Sequence, residues 1–204
     1  MNENNQKISK QEADRIMNIP GNVRGAIILG NLEYAARKKG REIINKIEKR
    51  LEELGYSFNL KNIRLMEKYP EALSVIIILL IQELLDLSKE DIFEMGQAGL
   101  KLPYFVKMIS KYFISAESAL EQAPKYWEKY FDFGRVEISQ YDKEKNYAII
   151  RVIGYNFHPL ICFYHRGYFT QAAKMATGKK EVESREIKCA HKGDSYHEYF
   201  LAWK

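Results

Sequence analysis

Residues 136–152, VEISQYDKEKNYAIIRV, and 182–203, VESREIKCAHKGDSYHEYFLAW, alternate apolar and polar side chains with period two, the mark of half-buried strands. In the first stretch Val136 and Ile138, then Ala148, Ile150 and Val152, flank a turn-like run from Asp142 to Asn146, which predicts a hairpin. The second stretch predicts another hairpin, Val182–Cys189 against Tyr196–Trp203, turning at Gly193-Asp194. Between them Pro159–Thr177 returns to helical spacing and stops at Gly178, a C-cap residue. The order is strand-strand-helix-strand-strand.

Upstream the period is helical. Ile28, Leu32, Ala35 and Ala36, then Ile43, Ile47, Leu51 and Leu54, lie on apolar faces on either side of Gly40. Pro70 suits the first turn of a helix through the apolar run Val75–Ile81 to about Leu87, and Ser88 with Asp91 resembles a capping box opening the next, which ends near Gly96 or Gly99. Further helices are expected after Pro103 and after Pro124. The fold class is therefore α+β, a helical N-terminal half packed on a C-terminal four-stranded antiparallel sheet. Residues 1–20 are expected to be a flexible or helical extension and 21–204 one domain, with a helical part 21–133 and a sheet part 134–204.

With 204 residues, 46% hydrophobic and 29% charged, the chain has the composition of an ordinary globular protein. Met1–Lys10 is polar and does not read as a secretory signal, and no apolar run approaches the roughly 20 residues that span a bilayer, so a cytoplasmic location is expected. The net charge of +5 is mild. Its one dense cluster, Arg37, Lys38, Lys39 and Arg41, reads as the C-terminal end of a helix, where cations complement the dipole; no direct nucleic-acid binding follows.

All four His residues (158, 165, 191, 197) and both Cys residues (162, 189) fall at or beyond position 158. Sulfur, imidazole and carboxylate are zinc donors, and clustered Cys in a reducing compartment reads as metal-binding or catalytic before disulfide-bonded. Cys189 ends one strand of the second hairpin and His197 begins the next, so the turn brings them together. Glu186, three residues before Cys189, reaches the same place only through a bulge or bend. The alternative is that Cys162 is a small buried hydrophobe in a helix and Cys189 a strand core residue, with the histidines on the surface. His165 and His191 are spare candidates.

The pattern Cys162-x4-Gly167-Tyr168, followed by Glu186-x2-Cys189-x3-Gly193-x3-His197, resembles the 4-vinyl reductase domain family, whose relatives include heme-nitric-oxide-binding sensors and vesicle-tethering subunits. The resemblance implies a structural zinc held by Cys162, Glu186, Cys189 and His197, with His197 where the family usually has a final Cys. It implies a small-molecule sensor that binds an apolar or aromatic ligand and signals through a partner protein or a homodimer. Two alternatives stand beside it. One is a heme or tetrapyrrole sensor using His158 or His165 as axial ligand, for which the Tyr-x-Ser-x-Arg signature is missing. The other is an acyl-binding assembly adaptor.

No Walker pattern, Gly-x-Gly-x2-Gly or Cys-x2-Cys is present, and the acids are spread along amphipathic helices, so no catalytic constellation emerges and the chain is not read as an enzyme. Aromatic residues gather between Phe105 and Phe133 and between Tyr155 and Phe169. They predict a ligand pocket drawing on Phe105, Tyr112, Trp127, His158 and Tyr168, or an aromatic core without a cavity.

Overall fold

A computed structural model describes residues 7–101 and 115–204. The helical half comprises α1 (Lys10–Met17), α2 (Gly25–Lys39), α3 (Glu42–Glu53), α4 (Glu71–Leu85), α5 (Lys89–Leu100) and α6 (Ala116–Tyr130). Strands β1 (Asn22–Arg24) and β2 (Lys68–Pro70) pair antiparallel beside it. The C-terminal half runs β3 (Arg135–Asp142), β4 (Tyr147–Ile153), α7 (Ile161–Thr177), β5 (Val182–Lys188) and β6 (His197–Trp203). The expected α+β architecture is therefore observed, with strand-strand-helix-strand-strand order and an antiparallel sheet arranged β3-β4-β6-β5.

Helix α4 is the centre of the helical half. Every residue from Glu71 to Ile81 is buried, and α1, α2 and α3 all pack against it, which is why its sequence is apolar all round rather than on one stripe. Helix α1 joins this core through Ala13 and Ile16. Gly40, at φ 83°, ends α2 in a conformation costly for other residues and lets α3 fold back. The Ser88–Asp91 capping box forms: the Ser88 hydroxyl accepts from the Asp91 amide, and the Asp91 carboxylate accepts from the Ser88 amide.

Two departures have local causes. The helix expected to begin after Pro124 begins eight residues earlier: Ser115 caps it by accepting from the Ser118 amide, and the helix runs on through Pro124. The pairing of β1 with β2 joins three-residue strands far apart in sequence, too short to show a period. The helix expected after Pro103 lies outside the described residues.

Helices α5 and α7 cross at glycine. A Cβ on Gly96 would stand 2.0 Å from the Tyr164 carbonyl oxygen, and one on Gly167 would stand 1.9 Å from the Phe93 carbonyl oxygen. Only hydrogen at both positions lets the backbones meet. This fixes α7, and with it Cys162, His165 and Tyr168, against the helical half. On the sheet, Val136, Ala148, Ile150 and Leu201 are buried, under α6 and α7.

Candidate functional site

The first concentration of chemistry lies where α7 meets the second hairpin. Cys162 comes from the first turn of α7, His197 from the first residue of β6, Cys189 from the residue that follows β5, and Glu186 from a register shift between Glu186 and Lys188. That irregularity is the bulge Glu186 needs. One donor atom from each of the four lies within 4.8 Å of all the others. The sulfurs are 3.7 Å apart, and His197 Nδ1 is 3.6 Å from Cys162 Sγ and 3.2 Å from Glu186 Oε1. His197 Nε2, 2.9 Å from the Tyr155 carbonyl oxygen, donates to it, since a carbonyl only accepts.

Burial, reinforced by the Glu186 charge, pushes the Cys162 thiol far up, so it is a neutral S–H. Burial also pushes the Glu186 carboxyl up, but hydrogen bonds with His197 and the two thiols outweigh it and hold the group below the usual carboxylate value. The four side chains thus satisfy one another as a buried hydrogen-bonded knot. A cleft of about 540 Å³ opens beside them, lined by Glu12, Lys89, His158, Cys162, Glu186 and Cys189 among others. His158 belongs here: its Nδ1 accepts from the Leu160 amide and its Nε2 lies 3.3 Å from Glu12. His191, half-buried in the same cleft, is lowered to about 4 by burial and by His197.

The second concentration is apolar. A cavity of about 80 Å³ lies between α6, the sheet and α7. Alanines make the space: Ala116, Ala119 and Ala123 on α6 face Ala172, Ala173 and Ala176 on α7, over Ala148 and Ile150. Trp127 and Tyr168, both expected in a pocket, line it; His158 does not, and Phe105 and Tyr112 lie outside the described residues. Trp127 Nε1 is already committed, donating to the Phe133 carbonyl.

A third space, about 20 Å³, adjoins the second, because Trp127, Phe131 and Tyr168 line both. Its wall holds His165, Glu71, Ser74, Tyr155 and Tyr164. His165 is buried among Trp127, Tyr155, Tyr164 and Phe169, with ring centroids 4.5–6.3 Å away. Burial, aided by His197, pulls its pKa down to about 3, so it is a neutral imidazole. Glu71 is buried too, and burial lifts its carboxyl to about 8. The sequence offered little warning of Glu71: an acid opening an apolar helix reads as an exposed first-turn residue.

No family model matches the chain, and no curated protein matches it. Solved structures do. The H-NOX protein from S. oneidensis in the Fe(II)NO ligation state superposes with a TM-score of 0.66 at 14% identity, over 89% of this chain and 99% of that one. An oxygen-binding H-NOX domain related to soluble guanylate cyclases gives 0.62 at 12% identity, over 89% and 95%. A structure probing heme distortion in the H-NOX family gives 0.63 at 14%, over 89% and 95%. At these identities the likeness establishes the fold. It also reverses one expectation: structural zinc was put ahead of heme as cofactor, whereas the cofactor described for solved domains of this fold is heme. The four converging donors satisfy one another by hydrogen bonds, so their geometry is not specific to an ion. Among the described residues no helix is long and apolar enough to cross a membrane.

Proposed function

We propose that this chain is a ligand-sensing domain that binds a heme-class tetrapyrrole, with His165 as the side chain that would hold its iron, and signals through a partner protein. The observation that carries the reading is His165 itself, a buried imidazole on the wall of the inner chamber in a fold whose solved neighbours are heme domains. Its donor chemistry fits, because a neutral imidazole keeps a lone pair for a metal. The two cavities share Trp127, Phe131 and Tyr168 in their walls, and at about 80 and 20 Å³ they are smaller than a tetrapyrrole, so binding requires these rings and the helices that carry them to move apart. Heme, when bound, supplies an iron that takes a small gaseous ligand. The chain's own part is to fix the imidazole between aromatic edges, to wall off water with the alanines and Ile150, and to carry displacement of α6 and α7 to the surface.

Hemin titrated into the apoprotein should give a red-shifted Soret band saturating at one per chain. His165→Ala should lose the band and His158→Ala should keep it. If wild type gives only the spectrum of free hemin, the tetrapyrrole reading is wrong.

A second reading is favoured by the lining of the 80 Å³ cavity, which is almost wholly apolar. It is of the order of engineered core cavities that stay dry and take benzene. On this reading a small apolar or aromatic molecule is the ligand, in keeping with the resemblance to the 4-vinyl reductase family. Native mass spectrometry showing a bound organic mass, with no response to hemin, would favour it. The Cys162–Glu186–Cys189–His197 knot then acts as a brace, holding the hairpin to α7 and fixing one end of the site.

A further inference from the structure

The 20 Å³ chamber has a chemistry that neither a porphyrin nor an apolar ligand uses. Glu71 comes from the first residue of α4, whose amide donates to the Gly21 carbonyl and anchors the turn. The Tyr155 hydroxyl hydrogen-bonds Glu71 Oε1. Oε2 is buried with no partner at normal hydrogen-bond distance, and the Ser74 hydroxyl, also buried, stands near enough to favour the carboxylate without closing a full bond to it. Among the described residues no cation pairs with Glu71. Around this carboxyl stand aromatic rings, those of Trp127, Tyr155, Tyr164 and Tyr168.

A carboxyl with one free oxygen, a hydroxyl beside it and aromatic rings around it form a receptor for a compact cation. Aromatic faces attract a desolvated ammonium, and the carboxylate supplies the opposite charge. We infer that the chamber formed by Glu71, Ser74, Tyr155, Tyr164 and Trp127 is a binding site for a small protonated amine of one or two non-hydrogen atoms, ammonium or methylammonium in class. The size limit follows from the volume, which holds one or two water-sized groups. A single water is the competing occupant. It would satisfy Oε2 but would leave the acid neutral and the aromatic faces unused. Glu71 is held protonated in the empty chamber, so a cation entering at neutral pH displaces that proton and forms the ion pair the site otherwise lacks. This inference does not rest on the tetrapyrrole reading, because it concerns the metal-free chain.

The test is thermal melting of the apoprotein in methylammonium chloride against equal concentrations of sodium chloride. For so small a ligand the half-point should be roughly millimolar. The melting temperature should rise saturably, by about 3–5 °C at tenfold excess over the dissociation constant. Tetramethylammonium, too bulky for the chamber, should give no saturable rise, and Glu71→Gln should abolish the methylammonium response. No saturable rise in wild type, or the same rise in Glu71→Gln, overturns the site in favour of a water only. Should Glu71→Gln fail to fold, ¹³C-methylammonium on wild type decides the matter. A bound methyl resonance with nuclear Overhauser contacts to Trp127 and Tyr164 supports the site, and its absence at saturating concentration sinks it.

Discussion

Glu71 and His165 face the same chamber with opposite consequences for stability. The folded state raises Glu71 from 4.5 to about 8, so between those values the native protein holds a proton that the unfolded chain releases. Stability contributed by the neutral acid is present below pH 4.5 and is lost as pH rises toward 8. His165 is lowered from 6.5 to about 3, and His191 to about 4, so below pH 6.5 the unfolded chain takes up protons that the native one refuses. Stability from these residues falls as pH drops through that window. The two trends oppose each other between 4.5 and 6.5, two histidines against one acid, and urea denaturation should show maximal stability near the upper end of that window. Above it, Glu71→Gln should flatten the decline to pH 8 and be more stable than wild type at pH 8 by roughly 2 kcal/mol or more. In the knot, His197→Ala should cost roughly 2–4 kcal/mol, because it strips partners from the Tyr155 carbonyl, Cys162 and Glu186 at once.

At the level of helices and strands, the crossing of α5 over α7 is the least forgiving contact. Gly167→Ala forces a methyl into the Phe93 carbonyl, and the helices must part; a loss of roughly 2–3 kcal/mol in chemical denaturation is expected. Ser88→Ala, which removes one half of the capping box, should cost about 1 kcal/mol. Much of this level was legible in the sequence, for physical reasons. Period two along 136–152 and 182–203 reflects one buried sheet face, and Ser88-x2-Asp91 declares a helix start. The strand bulge at Glu186 followed from asking Glu186 and Cys189 to meet. What stayed hidden depends on tertiary contact: the β1–β2 pairing, the start of α6 at a serine cap well before Pro124, and the glycine crossing, whose Gly96 reads in sequence as a helix end and whose Gly167 reads only as part of a motif.

For the molecule as a whole, the likeness to H-NOX structures covers 89% of the chain, so helical half and sheet are arranged as one architecture. The candidate site was half legible. Cys162, Glu186, Cys189 and His197 do converge, and Trp127 and Tyr168 do line a cavity, because these residues sit at element ends or on a helix face that the periodicity locates. The inner chamber was not, since burying Glu71 depends on α4 passing through the middle of the fold. Hemin binding decides between the two readings of the outer cavity.

Tyr155 is held at both ends. Its carbonyl accepts from His197 at the cleft, and its hydroxyl meets Glu71 in the chamber. One residue is thus a strut between the knot beside the cleft and the inner chamber, and free-energy linkage across such a strut runs both ways. A disturbance at the knot that pulls His197 from the carbonyl changes how firmly the chamber grips its occupant, and an occupant that tightens Glu71 makes the knot harder to open. Tyr155→Phe cuts the inner tie and spares the outer one, leaving two places that no longer register each other.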